Sequence, residues 1–336
     1  MEHPTFRQRY VDFISIFKHK LDWDNLSRNP NITMQFVLEN EDKRWDWDYL
    51  SKNPGITIKD VIDNPTKPWN WFFVCLNPSI SVRDVLNSPI SPRNLNWYSL
   101  SLNPNLTIED ILENPDKPWL WDCVSQNRNL TIQDVLRIPD KPWHWNFLSR
   151  NSTITMKFVL ENPDKPWDWN YLSENPSITM QDVRNNPQKP WNWRELSQNP
   201  NVTMQFVLEN PDKHWDWNSL SQNPGISMQD ILDNPNKPWN WVSVSYNRSI
   251  TIHDALDNPD KPWCWDILCL NPTLRIRHIL QNPQKPWNMC FLSQNRSLSM
   301  KDILDNPYMG WDWRQVSSLE FKLDKFPTGL RTKAAR

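Results

Sequence analysis

The chain has 336 residues, with 37 lysines and arginines against 39 aspartates and glutamates, a formal net charge of −2 at pH 7. That near balance removes the simplest electrostatic case for nucleic acid or an anionic membrane surface. Four glycines against 30 prolines and 23 tryptophans leave too little glycine for phosphate-cradling loops and point to turns built on proline.

Residues 4–20 open the chain. Phe6, Tyr10, Phe13, Ile14 and Phe17 recur at helical spacing with polar residues opposite, which predicts a helix capping the array behind it. A membrane-surface helix using Arg7, Arg9, Lys18 and Lys20 is the alternative. A 24-residue unit then repeats over residues 21–317. The second member of a Trp-x-Trp pair falls at Trp23, Trp47, Trp71, Trp97, Trp121, Trp145, Trp169, Trp193, Trp217, Trp241, Trp265, Met289 and Trp313, which makes 13 copies. The step is 24 throughout, except for 26 between Trp71 and Trp97. Every tryptophan belongs to such a pair, and Leu21, Leu95 and Met289 fill the three remaining slots. A fixed period of this length marks a stacked repeat architecture.

Each unit divides in two. In Ile178-Thr179-Met180-Gln181-Asp182-Val183, Thr179 is an N-cap and Asp182 the acid of a capping box, with Ile178 and Val183 placed as a staple. Apolar slots one, four and five of this helix, as in Ile108, Ile111 and Leu112, share a face. Asn-Pro ends it. A serine or threonine fills the cap in 11 of 12 copies, Arg275 being the exception; Asp fills the box in 8, with Phe36, Phe158, Phe206 and His278 in its place elsewhere. In the other half, Asp164-Lys165-Pro166-Trp167 reads as a cap with proline in the first helical turn, and Trp169, Leu172 and Ser173 follow at helical spacing. A strand through Trp167-Asp168-Trp169 is the alternative, but its alternation stops at Leu172. The fold expected is all-α, a solenoid of about 13 short helical hairpins of 24 residues whose superhelical hand the sequence leaves open. Its framework is Trp167, Trp169, Leu172, Asn175, Ile178, Thr179, Asp182 and Val183. The domain layout is a capping helix at 1–20, one repeat domain at 21–317, and a C-terminal cap with a disordered basic tail at 318–336.

The two extra residues of the third-to-fourth step lie in Ser88–Asn94, a turn between units. The five cysteines are odd in number and lack CxxC spacing; Cys75 and Cys269 take a slot that is otherwise serine, as small buried groups in a reducing compartment. The six histidines show no metal-ligand spacing, and no hydrolase, nucleotide or dinucleotide motif is present. No catalytic residue, metal site or cofactor is assigned, and an enzyme is not expected. No apolar run reaches the length of a membrane span.

Three repeated features remain: a tryptophan ladder, read mainly as core; a lysine row that includes Lys117, Lys141 and Lys165, beside aspartates that make it a mixed-charge edge; and an asparagine in all 12 Ser-x-Asn turns from Asn29 to Asn295, read as a ladder bonding backbone between units. In repeat proteins the varied slots on a fixed frame carry recognition. Those slots give the candidate partner-binding residues Phe36, Tyr49, Phe73, Phe147, Phe158, Tyr171 and Phe206, with Lys117, Lys141 and Lys165.

The run Asn-Pro-Asp-Lys-Pro-Trp-Asp-Trp, then Leu-Ser-x-Asn-Pro-x-Ile-Thr, then Val-Leu-x-Asn resembles the tryptophan-rich repeat proteins of giant and other large nucleocytoplasmic DNA viruses, and residues 162–186 carry it almost undisturbed. The resemblance covers about nine-tenths of the chain. It implies a multi-copy viral family without an assigned activity, acting inside an infected cell, in host cytoplasm or a viral factory, with the virion as an alternative. The expected function is a non-enzymatic scaffold for protein–protein interaction with a partner of unknown identity. The alternatives are a structural virion or core component and a single-stranded nucleic-acid binder using its Trp and Lys rows.

Overall fold

The computed structural model describes residues 6–90 and 95–321, with side chains from Arg9 onward. Residues 91–94 of the turn that holds the two extra residues, the side chains of Phe6 and Arg7, and the basic tail lie outside the described residues. Among those described, the chain is all helical, 26 short helices numbered α1 to α26 in order. Of these, α2 to α25 form twelve hairpins, as in α14 (Trp169–Glu174) and α15 (Met180–Asn185), and α26 (Trp313–Ser318) stands thirteenth and alone.

The second helix of each unit forms as its sequence dictates. Thr179 accepts from Asp182 N, and Asp182 returns a bond to Thr179 N at 2.8 Å; all eight acid-bearing copies close this box. Such helices span six residues, too short to persist alone. Slots one and four point inward, as Met180 and Val183 do. Slot five does not: Leu112, Leu160 and Leu280 are 43%, 43% and 54% exposed. Slots one, four and five fall within about 100° of arc around the helix, and with the contact centred on slots one and four, slot five sits at the edge of that arc and meets water.

The first helix starts later than the sequence suggested. Its cap is Asp168, between the two tryptophans, whose carboxylate accepts from Asn170 N at 2.9 Å. Asp164 is not a cap, because Lys165-Pro166-Trp167 closes a tight turn in which Trp167 N donates to Lys165 O at 2.8 Å. Proline at its centre has the φ that an inverse γ-turn needs. Nine units share this turn, eight with proline at its centre and one with His214.

Two polar ladders stitch unit to unit. The serine after each first helix accepts from the backbone N–H of the next cap residue, 19 positions on, as Ser173 does from Asn192 at 3.0 Å. Cys269 substitutes with a longer 3.3 Å contact. Each turn asparagine donates backward: Asn199 Nδ2 reaches Ser173 O and Asn175 O, each at 2.9 Å, while its Oδ1 accepts from Asn201 N. These groups are fully buried, so an unmade bond would cost about 1–3 kcal/mol each.

The array closes on itself. Asp22 N donates to Ser317 Oγ at 2.9 Å, and Asn29 Nδ2 donates to Ser317 O and Leu319 O, each at 2.9 Å. The same asparagine pair joins seven other units to their predecessors, and here the predecessor of unit 1 is unit 13. α2 (Trp23–Leu26) packs beside α26 as other first helices pack beside their neighbours. α1 (Phe6–Phe17) supplies the second helix that unit 13 lacks. It lies beside α25 (Met300–Asp305), sets Phe17 at 4.7 Å from Trp313, and is followed by Lys20 at 5.1 Å over the same indole. Tyr10 and Phe13 clasp Phe321, from the strip after α26. The expected capping helix therefore covers no free end; it joins the two ends. Thirteen units sharing a full circle turn by about 28° each, the small per-repeat rotation that sets curvature in such arrays.

Candidate interaction surface

Successive first helices approach more closely than successive second helices, and on a ring the shorter step lies inside. Thirteen inner helices about 9 Å apart give a circle about 37 Å across between axes. Removing helix half-widths of about 5–6 Å leaves a lumen about 25 Å wide.

The tryptophans are consumed by the frame. The first indole of each pair donates Nε1–H to the carbonyl that ends the preceding helix, as Trp191 does to Asn186 at 2.9 Å, in all 11 copies. It also meets the second indole of the previous unit edge to face, in ten pairs at 4.9–5.3 Å. Such geometry adds about 0.5–1.5 kcal/mol per pair beyond burial. The lysine row lies across the same half-buried indoles: Lys165 is 5.2 Å from the Trp145 ring and Lys141 5.9 Å from Trp121. Both stay near their π faces and do not form a free cationic track. Lys117 is exposed.

The candidate aromatics separate into two groups. Phe36 and Phe206 are buried, 9% and 1% exposed. They stack on Trp23 and Trp193 of their own units at 6.3 and 6.1 Å, and so fill the core where other units use a capping aspartate. Phe36 and Phe206 offer a partner little surface. Phe158 is half-buried and lies edge-on to Trp167 of the next unit at 6.0 Å. Tyr49, Phe73, Phe147 and Tyr171 occupy the third position of inner helices and are only half-buried. Cations gather on three of them: the Arg28 guanidinium lies 3.8 Å above the Tyr49 ring, Lys52 sits 4.4 Å from Tyr49 and 4.7 Å from Phe73, and Arg150 lies 4.8 Å from Tyr171 while pairing with Glu174. Next to this row, Asp48, Tyr98, Asn170, Arg194, Val242 and Asp266 project from inner helices and are exposed. Side chains here differ from unit to unit while the ladders behind them repeat. Sequence reading missed this row because its members share no chemistry; only their common place in the unit unites them.

Titratable groups stand out at two points. His278, beside His253 at 5.0 Å, has its pKa lowered by burial and then by His253 and the Arg277 and Arg275 guanidinia. Its Nδ1 accepts from Arg275 N at 3.1 Å, doing the work of the box aspartate. Burial pushes the Cys75 and Cys269 thiols up to about 11, which keeps them protonated and unreactive. Among the described residues, no cluster of three or more His, Cys, Asp or Glu could hold a metal ion, and no helix is long and apolar enough to cross a membrane.

Compared with known proteins, the chain matches no family model, no curated protein and no solved structure.

Proposed function

We propose that this chain is a non-enzymatic ring scaffold that holds a protein partner against its inner wall. The observation that carries the reading is the half-buried row Tyr49, Phe73, Phe147 and Tyr171, with Arg28, Lys52 and Arg150 stacked on it. Tyrosine, phenylalanine and arginine are the side chains from which interface hot spots are built, and the frame has no use for them here. The resemblance to viral tryptophan-rich repeat proteins supplies the setting that the reading assumes, an infected cell. A single-stranded nucleic acid fits less well. The first turns of the inner helices carry Asp24, Asp48, Asp122 and Asp266, which repel phosphate, and most of the lysine row is drawn onto tryptophan.

The test is affinity capture from infected cells with the wild-type ring and with a Tyr49→Glu/Tyr171→Glu variant of unchanged helical content. The reading expects one protein recovered in stoichiometric amount with the first and lost with the second. Recovery of nucleic acid alone, or capture indifferent to the substitutions, removes it.

A further inference from the structure

The face of the ring that carries the asparagine turns has two depressions that share Gln294 and Arg296, of about 720 and 480 Å³. Together they run from Tyr246 to Pro54 and cross the seam between unit 13 and unit 1. The floor is apolar, with Ile267 and Leu270 half-buried and Tyr246 55% exposed. Arginines stand along it: Arg248, Arg275 and Arg296 in the larger part, and Arg28 and again Arg296 in the smaller. Among the described residues the only acid lining either part is Glu320, which reaches Arg296 at 4.0 Å with the arginine largely in water. Arg248 has no carboxylate partner among the described residues. Arg275 spends its guanidinium on the Pro272 and Leu274 carbonyls at 2.8 Å, which neutralise no charge.

The sequence departs from its own rules where these arginines sit. Proline follows the turn asparagine in eight of twelve units; arginine takes that place in three, Arg248 and Arg296 here and Arg128 elsewhere on the rim, and only here is it joined by the Arg275 exception. Arg275 displaces a capping hydroxyl found in the other 11 copies; arginine has no acceptor to cap with, and the loss costs helix stability. Local rules broken together at one spot, with no packing gain, are characteristic of a functional surface.

We propose that this groove binds an extended acidic protein segment, with one or two apolar side chains on the Ile267–Leu270 floor and carboxylates on Arg248, Arg275, Arg296 and Arg28. The proposal deepens the scaffold reading and names the partner chemistry. Arginine forks pair bidentately with carboxylates, and the apolar floor accepts the side chains between them. Four unit steps of about 9 Å match about ten residues of extended chain. A longer phosphate polymer fits less well, because Glu174 interrupts the same rim on the far side of the ring.

The experiment uses the full chain and a fluorescein-labelled decapeptide of glutamate and serine with two leucines, read by anisotropy. Saturable binding is expected, weakening at least tenfold between 50 and 300 mM salt and at least tenfold in Arg248→Glu/Arg296→Glu. Arg128→Glu, on the same rim but outside the groove, should leave it unchanged. Circular dichroism checks that the variants keep their helices. No saturable binding at millimolar peptide, or equal loss with Arg128→Glu, overturns the proposal. So does tighter binding of an oligouridylate that the same double substitution abolishes, which assigns the groove to phosphate. Partner capture that survives Arg248→Glu/Arg296→Glu but fails with the Tyr49 and Tyr171 substitutions sinks this groove and leaves the scaffold reading standing.

Discussion

Asn29 separates a closed ring from an open array. In Asn29→Asp the side-chain oxygen that accepts from Asn31 N at 3.0 Å is kept, so the local turn survives. What disappears is the Nδ2 donor to Ser317 O and Leu319 O, both on the last unit. Asn29 is fully buried, so two carbonyls lose their donor and a carboxylate oxygen faces them. At about 1–3 kcal/mol for each orphaned buried group, the substitution should cost about 3–5 kcal/mol. Asn199→Asp, in mid-array, breaks the equivalent pair to Ser173 and Asn175 and should cost the same within about 1 kcal/mol. Urea titration followed by tryptophan fluorescence measures both. If Asn29→Asp is neutral while Asn199→Asp is severe, unit 1 has no predecessor and the closure is wrong.

Met289→Trp restores the missing edge-to-face partner of Trp311 and should raise the urea midpoint by the equivalent of about 1 kcal/mol. Trp191→Phe removes the donor to Asn186 O and should lower stability by about 2 kcal/mol, while Trp191→Leu should cost more. His278 is held neutral by burial among cations, so its folded pKa lies below the unfolded value of about 6.5. Between those two values the unfolded chain binds the extra proton, and stability falls as pH drops below about 6.5. Arg275→Thr/His278→Asp should flatten that slope in a thermal-melt series from pH 7.5 to 5.5. Iodoacetamide mapped by mass spectrometry at pH 8 should label exposed Cys290 well before Cys75 and Cys269, whose thiols stay protonated up to about 11.

The unit itself is legible in the sequence, because its determinants are local. The caps at Thr179 and Asp182 and the Asn175 turn each rest on residues within a few positions. The ladder role of asparagine is legible too, since nothing but a neighbouring backbone explains its presence in every turn. The start of the first helix is misread because Asp164 and Asp168 both precede a tryptophan, and only the proline-centred turn decides between them. Phe36 and Phe206 look like recognition residues because they break a pattern; they break it by exchanging a cap bond for stacking in the core. Closure is not legible at all. It depends on a per-unit rotation that sums to a full circle, and no single residue encodes that angle. Its one trace is the odd count, 13 first helices against 12 second helices after Trp23, with a spare amphipathic helix waiting at the front.

The most direct measurement is a distance across the seam. Asp24 and Arg314 occupy the same position in units 1 and 13, as Asn170 and Arg194 do in adjacent units 7 and 8. With Cys290 changed to serine, spin labels on Asp24→Cys/Arg314→Cys and on Asn170→Cys/Arg194→Cys can be compared by electron paramagnetic resonance. A ring predicts the same short separation for both pairs, that of one unit step. A long separation across the seam beside a short one in the reference pair would contradict it.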